Sequence, residues 1–226
     1  PADKGIIKWL QEENPDVVIA SPCNMRFSQE IELIKAANKL DIPTDITVLS
    51  WDNTSTKGLF HVHPQRVLAW HQGHKDECIK YHGVAAKNIT ITGAPFFDKW
   101  RRAMEQSTAR KEFCQRVGLN PEQPFVLYLG SSANIAIDET WLVSEIKQAL
   151  LKSTDTKLHN VQILFRSHPA NWKNGIRLLE ENIAVWPREG TLPDSAETFN
   201  DFRDSLAHAQ CVIGINTSGM LDAIIN

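Results

Sequence analysis

Three short polar stretches carry residues suited to holding a phosphate, and each directly follows an apolar run. Gly130-Ser131-Ser132-Ala133-Asn134 ends the run FVLYLG. Small residues there let backbone N–H groups approach an anion, and the hydroxyls add donors. Arg166-Ser167-His168-Pro169 closes VQILF; arginine offers a planar fork of donors that matches phosphate, and Pro169 biases His168 towards an extended backbone. Asn216, Thr217 and Ser218 stand in GINTSGMLDA, where a strand-like run passes into a helical pattern whose first N–H groups attract phosphate. Asp222 follows Ser218 by four residues and shares its helix face, one turn along, where the ribose of a bound diphosphate lies. A fourth stretch, Pro187-Arg188-Glu189-Gly190 after NIAVWP, is a place for a base or ribose. Each has an ordinary alternative: a structural Gly-Ser-Ser loop, a His-Pro turn, or helix capping by Thr217 or Ser218 with Asp222 in solvent.

A different set of residues lies nearer the amino terminus. SWDNTSTKG (50–58) follows ITVL. Asp52 is the carboxylate of this loop and a candidate base for deprotonating an acceptor hydroxyl. Asn53, Thr54, Ser55 and Thr56 can bond sugar hydroxyls, with Trp51 as a stacking face. The alternative is an Asx-turn at Asp52 and Asn53 with Trp51 in the core. SPCNMR (21–26) is a second strand-end loop on this side. His61, His63, His71, His74 and His82 make the region histidine-rich, but no HExxH pattern accompanies them, so no metal site is expected and His61 or His63 is at most an acid/base group.

Composition narrows the classes. A formal net charge of −3 supplies no global basic field for nucleic acid or an anionic membrane, so any anion binding is local. Cys23, Cys78, Cys114 and Cys211 are widely spaced without a CxxC pair, which reads as buried, reduced thiols in a cytoplasmic setting. No apolar run approaches the ~20 residues of a membrane-spanning helix, and the first residues lack a signal-peptide pattern. GxSxG, GxxxxGK[ST] and GxGxxG are absent, which argues against hydrolase, ATPase and dehydrogenase readings.

The elements that must position these residues alternate in βαβ rhythm. DKGIIKWLQEEN predicts a helix closed by Pro15, DVVIAS (16–21) a buried strand, and SQEIELIKAANKL (28–40) a helix with Ser28 as N-cap. Strands ITVLS (46–50), RVLAW (66–70) and NITITG (88–93) follow, with a helix over HKDECIKYHG (74–83) ending at Gly83. A helical stretch from Phe96 to Val117, broken near Gln106–Thr108, leads to a second block: strands 125–130, 161–169, 182–187 and 211–216, helices 138–152 and 199–209, and a last helix just begun. The expected class is α/β, with a mainly parallel sheet in each of two Rossmann-like halves facing a cleft. The boundaries are 1–95 and 96–226; both halves have fewer strands than a full doubly wound unit, and the chain reads as a fragment.

SWDNTSTKG, RVLAWHQGHKDECIKYHGV and NITITGAPFFDKW together resemble a block of bacterial surface-polysaccharide glycosyltransferases of the GT-B fold. VLYLGSS, RSHP and AHAQCVIGINTSGMLDAII are similar to the donor half of that group. CDP-glycerol glycerophosphotransferases and UDP-GlcNAc 2-epimerases share the architecture. The resemblance implies a nucleotide-diphosphate sugar as a substrate rather than a cofactor, without a metal. It implies a carbohydrate or lipid-linked acceptor, a cytoplasmic protein, and peripheral association with the inner face of the membrane. Carried over by position, Ser131 and Ser132 meet phosphate, Arg166 and His168 the nucleotide side, and Thr217 and Ser218 the diphosphate. Asp222 stands where such enzymes usually place a ribose-binding Glu. The leading expectation is metal-independent sugar transfer with Asp52 as base. The alternatives are a glycerophosphotransferase, a nucleotide-sugar 2-epimerase, or a non-catalytic nucleotide-sugar-binding subunit.

Overall fold

A computed structural model describes residues 1–21, 24, 28–103, 107–178 and 180–226, with residues 101–103 in backbone only. The chain divides into two compact units, Pro1–Asp98 and Lys99–Asn226.

In the first unit, α1 (Lys4–Glu13) starts at Asp3, whose side chain accepts from the Ile6 N–H. It stops at Asn14 in the left-handed conformation, one residue before the proline expected to end it. β1 (Val18–Ala20), β2 (Thr44–Thr47), β3 (Arg66–Ala69) and β4 (Ile89–Ile91) form a parallel sheet in the order β1-β2-β3-β4. α2 (Glu30–Lys39) and α3 (Gln72–His82) supply crossovers. Two expectations change here. Ser28 is not the cap of α2: Gln29 holds that position without a side-chain cap bond, and the Ser28 hydroxyl donates to the Glu30 carboxylate. β2 begins at Thr44 rather than Ile46, because its polar residues are satisfied in place. Arg66 grips Asp45 through two bonds of 3.0 and 2.6 Å, and Thr44 donates to Asn38 at 3.0 Å and accepts from the Gln65 N–H at 2.9 Å. Gly83 ends α3 with φ +68°, a conformation open to glycine. Leu10, Ile34, Ile46, Val67 and Cys78 are among the buried core residues.

The second unit opens within α4 (Asp98–Ala103) and continues through α5 (Arg110–Val117). β5 (Phe125–Leu129), α6 (Thr140–Lys152), β6 (Gln162–Arg166), α7 (Trp172–Gly175), β7 (Ile183–Val185), α8 (Ala196–His208), β8 (Cys211–Ile213) and α9 (Gly219–Ile225) then alternate. Every residue of β5 and β6 is buried, as strands covered on both faces must be. The sheet is parallel in the order β7-β6-β5-β8. The chain steps outward from β5 to β6 to β7, then returns to the far side of β5, so the order reverses between β5 and β8. Cys78 and Cys114 are buried, but Cys211 is exposed on β8, which corrects the expectation of a buried thiol; Cys23 lies outside the described residues. Among the described residues, no helix is long and apolar enough to cross a membrane.

Candidate functional site

In an open parallel sheet, the crevice for a ligand lies beyond the carboxyl ends of the strands where the order reverses. The second unit has its cavity there. Gly130 after β5, Arg166 and His168 after β6, and Thr217, Ser218 and Asp222 around the start of α9 line a space of about 170 Å³. A cavity of about 390 Å³ shares Arg166, Pro187 and Thr191 with it and continues past Trp186 and Asp201. Of the stretch Pro187–Gly190, only Pro187 lines either space. Gly130 is fixed by crowding: a Cβ there would stand 3.1 Å from the His168 N and 3.3 Å from both the Arg166 O and Glu139 Oε2.

The expected site residues divide by what their polar atoms already do. Ser131 is buried. Its N–H donates to Glu139 Oε2 at 2.7 Å, its hydroxyl accepts from the Asn216 N–H at 3.4 Å, and its carbonyl accepts from Asn171 Nδ2 at 3.2 Å. It braces the β5 loop to the loops after β6 and β8. The Ser132 carbonyl closes a turn by accepting from the Ile135 and Ala136 N–H groups at 2.9 and 3.1 Å. Ser131, Ser132 and Asn216 stand outside the lining of the smaller cavity. Arg166 is buried, with Nη1 donating to Asp201 Oδ2 and to the Ser205 hydroxyl, each at 2.8 Å. That fork ties β6 to α8.

His168 is free on one side. Its Nδ1 accepts from the Ala170 N–H at 3.1 Å, which assigns the ring proton to Nε2 and leaves that atom as a donor. Burial lowers its pKa, with the Glu139 carboxylate opposing, so the imidazole is neutral near pH 7. Ser218 is exposed and makes no capping bond to α9, while Thr217 Oγ1 accepts from the Gly219 N–H at 3.4 Å. Asp222 is half-buried rather than solvated: Oδ1 accepts from Trp100 Nε1 at 2.9 Å. Burial raises its pKa, and the Trp100 bond and the Lys99 charge pull against that rise. α9 spans seven residues.

Two participants left no sequence signal as site residues. Glu139, buried ahead of α6, supports the Ser131 amide, and its Oε1 has no hydrogen-bond partner among the described residues. Asn171 donates to the Ser131 and Ala136 carbonyls at 3.2 Å each.

The first unit holds its strand-end loop differently. Asn53 and Thr54 are buried. Asn53 Oδ1 accepts from the Leu49 and Ser50 N–H groups at 2.8 and 2.7 Å, and the Thr54 hydroxyl donates to the Glu77 carboxylate. His74 Nε2 donates to the Trp51 carbonyl at 3.0 Å. His82 holds both sides, Nε2 donating to the Thr54 carbonyl at 2.8 Å and Nδ1 accepting from the Phe60 N–H at 3.1 Å. The Trp51 side chain is exposed, not core. Asp52 meets Lys57 Nζ at 3.0 Å and accepts from the Ser50 hydroxyl at 2.7 Å. Burial raises its pKa, but the bonds from Ser50 and Lys57 and the lysine charge outweigh it, so the carboxylate lies below its usual range. In the SPCNMR stretch, 22, 23, 25 and 26 lie outside the described residues; Asn24 Nδ2 donates to the Asn53 carbonyl and, at 3.1 Å, to the Gly58 carbonyl. Among the described residues, no group of three or more His, Cys, Asp or Glu is arranged to hold a metal ion.

Neither a protein-family model nor a curated protein matches the sequence. Solved structures do share its fold. A UDP-GlcNAc 2-epimerase from Methanocaldococcus jannaschii aligns with 98% of this chain and 62% of its own, at 17% identity and a TM-score of 0.63. The same enzyme in complex with UDP-GlcNAc and UDP aligns with 97% of this chain and 60% of its own, at 16% identity and a TM-score of 0.60. The wall teichoic acid polymerase TagF aligns with 98% of this chain and 64% of its own, at 13% identity and a TM-score of 0.44. The chain thus spans about three fifths of the epimerase's length. Its two parallel four-stranded sheets are Rossmann-like halves of the GT-B type.

Proposed function

We propose that the chain is part of a GT-B enzyme acting on a nucleotide-diphosphate sugar, and that its second half holds the nucleotide. One observation carries this reading: His168, Thr217, Ser218 and Asp222 converge on a single cavity at the reversal point of the second sheet. His168 Nε2–H and the Ser218 and Thr217 hydroxyls are donors for the diphosphate, and Asp222 is the acceptor for ribose hydroxyls. Arg166 contributes by fixing α8 against β6 rather than by direct contact. Donors preset around the departing diphosphate stabilise its charge as the bond to the sugar breaks, without a metal ion.

The reaction we favour is sugar transfer to a hydroxyl acceptor, with Asp52 as the base of the acceptor half. Asp52 acts in that role once Lys57 is drawn away, since the ion pair lowers its basicity. A second reading, epimerisation of the bound sugar, is supported by the likeness of fold to the UDP-GlcNAc 2-epimerase. Calorimetric titration with UDP, CDP and GDP tests the shared part: at least one binds, and Ser218→Ala weakens it several-fold, on the scale of one hydrogen bond to a charged group. Absence of binding by all three rejects the donor site. Incubating the bound nucleotide sugar in water and in the presence of sugar acceptors separates the two reactions, an epimer supporting the second and a new glycosidic bond the first.

A further inference from the structure

The stretch GAPFFDKW contains a tryptophan to which the donor site as described gives no task. Trp100 is 2% exposed. Its ring packs edge-on against Phe199 and Phe202 of α8, with centroids 4.8 and 5.9 Å away, and its Nε1–H reaches Asp222 Oδ1 at 2.9 Å. An indole nitrogen only donates, so the direction of this bond is set. Two aromatic walls hold the ring, so the donor is in place before any ligand arrives. Asp222 in turn lines the smaller cavity beside Thr217 and Ser218. With Oδ1 taken and the carboxylate plane thereby fixed, Oδ2 is the acceptor left for a ligand.

We infer that Trp100 is a positioning residue for ribose recognition: it locks the Asp222 carboxylate so that Oδ2 receives the vicinal hydroxyls of a nucleoside diphosphate in the cavity. This rests on the nucleotide reading above and adds what selects a ribonucleotide over its deoxy analogues. A carboxylate free to rotate would lose that freedom on binding and weaken the contact. The bond has a second effect. Burial favours the neutral acid at Asp222; the indole N–H and, after it, the Lys99 charge stabilise the ionised form and oppose it. Trp100 therefore keeps the acceptor ionised at a lower pH than the site would otherwise allow.

Trp100→Phe preserves much of the ring packing and deletes the N–H. The test titrates the full chain with UDP, CDP and GDP, each beside its 2′,3′-dideoxy counterpart. The wild type prefers the ribonucleotide about tenfold, the scale of one hydrogen bond to a charged group. Trp100→Phe loses most of that preference while dideoxy affinity holds, and its ribonucleotide binding fades at a higher pH on acidification than the wild type's. An equal loss for both nucleotide forms, or an unchanged preference, overturns the inference and leaves the donor site standing. No binding of any nucleotide by the wild type removes the donor site itself, and this inference with it. The wild-type protein gives a readout that survives a variant's failure to fold. Its assigned Trp100 indole N–H resonance shifts as Asp222 titrates and on adding the ribonucleotide, but not on adding the dideoxy form; indifference to both contradicts the inference.

Discussion

The two halves are built from the same parts, four parallel strands each, yet they use their strand-end polar groups in opposite ways. In the first, the sheet runs β1-β2-β3-β4, with no reversal among the described strands. The loop after β2 consumes its own side chains: Asn53 bonds two amides, Thr54 bonds Glu77, and His74 and His82 hold its carbonyls from α3. In the second, the order reverses beside β5, and a cavity opens into which His168 and Ser218 bring donors not engaged by the fold. Similar residue types at similar places are thus engaged by the fold in one half and left facing a cavity in the other. What decides is whether the neighbouring element supplies a partner or leaves a space.

Arg166 tests that distinction with the largest expected effect, because it looks like a ligand-binding residue and is bonded as a structural one. Arg166→Ala removes the buried cation that Asp201 and Ser205 share; Asp201 keeps the Trp186 indole and Arg116, so we expect a loss of about 3 kcal/mol, the low end for breaking a buried pair. Denaturant unfolding followed at the second half should show the loss; a stable variant defective only in nucleotide binding would return Arg166 to the site.

In the first half, Asn53→Ala strips an acceptor from two loop amides in a buried setting. We expect a loss of about 2 kcal/mol, the low end of ~1–3 for each of the two part-buried amides left unsatisfied. An unfolding midpoint unchanged from the wild type would show that the loop is not self-braced.

Acidification should separate the loop from the cavity. His74 is buried and has its pKa lowered, first by burial and also by His71, against the opposing Trp51 carbonyl. A folded-state value below the unfolded one means that the unfolded chain binds the proton more readily. The associated stability is present above the unfolded value of about 6.5 and is lost as pH falls through the folded value. His74→Gln, which can still donate to the Trp51 carbonyl, should flatten this part of the pH–stability curve. A curve as steep as the wild type's would put the titration elsewhere.

The smallest effect on stability belongs to Ser218→Ala. An exposed hydroxyl with no capping bond should cost no more than about 0.5 kcal/mol when removed, even though the proposed donor site predicts weaker nucleotide binding by the variant. A marked loss of stability would mean that Ser218 is structural after all.

Much of this was legible in the chain because apolar runs such as FVLYL and QILF become the buried strands β5 and β6 they suggest, and Gly83 ends α3 where its conformational freedom predicts. β2 was displaced because Thr44 and Asp45 read as polar loop, whereas Asn38, Gln65 and Arg66 satisfy them inside the sheet. The strand-end positions of Arg166, His168, Thr217 and Ser218 were legible from the rule for parallel sheets. Their occupations were not. Trp100 meets Asp222 across 122 positions of sequence, and Asp201 meets Arg166 across 35; such bonds leave no periodicity or local motif. Asn53 and Thr54 have the chemistry of sugar-binding residues, and only the positions of the Leu49 amide and of Glu77 show that their polar atoms are already engaged.

Hydrogen–deuterium exchange of the full chain, with and without saturating UDP, CDP or GDP, tests the contrast most directly. The account predicts added protection in 129–134, 166–171 and 214–222 with at least one nucleotide, and unchanged exchange in 49–60. Protection confined to 49–60, or none anywhere with all three, contradicts it.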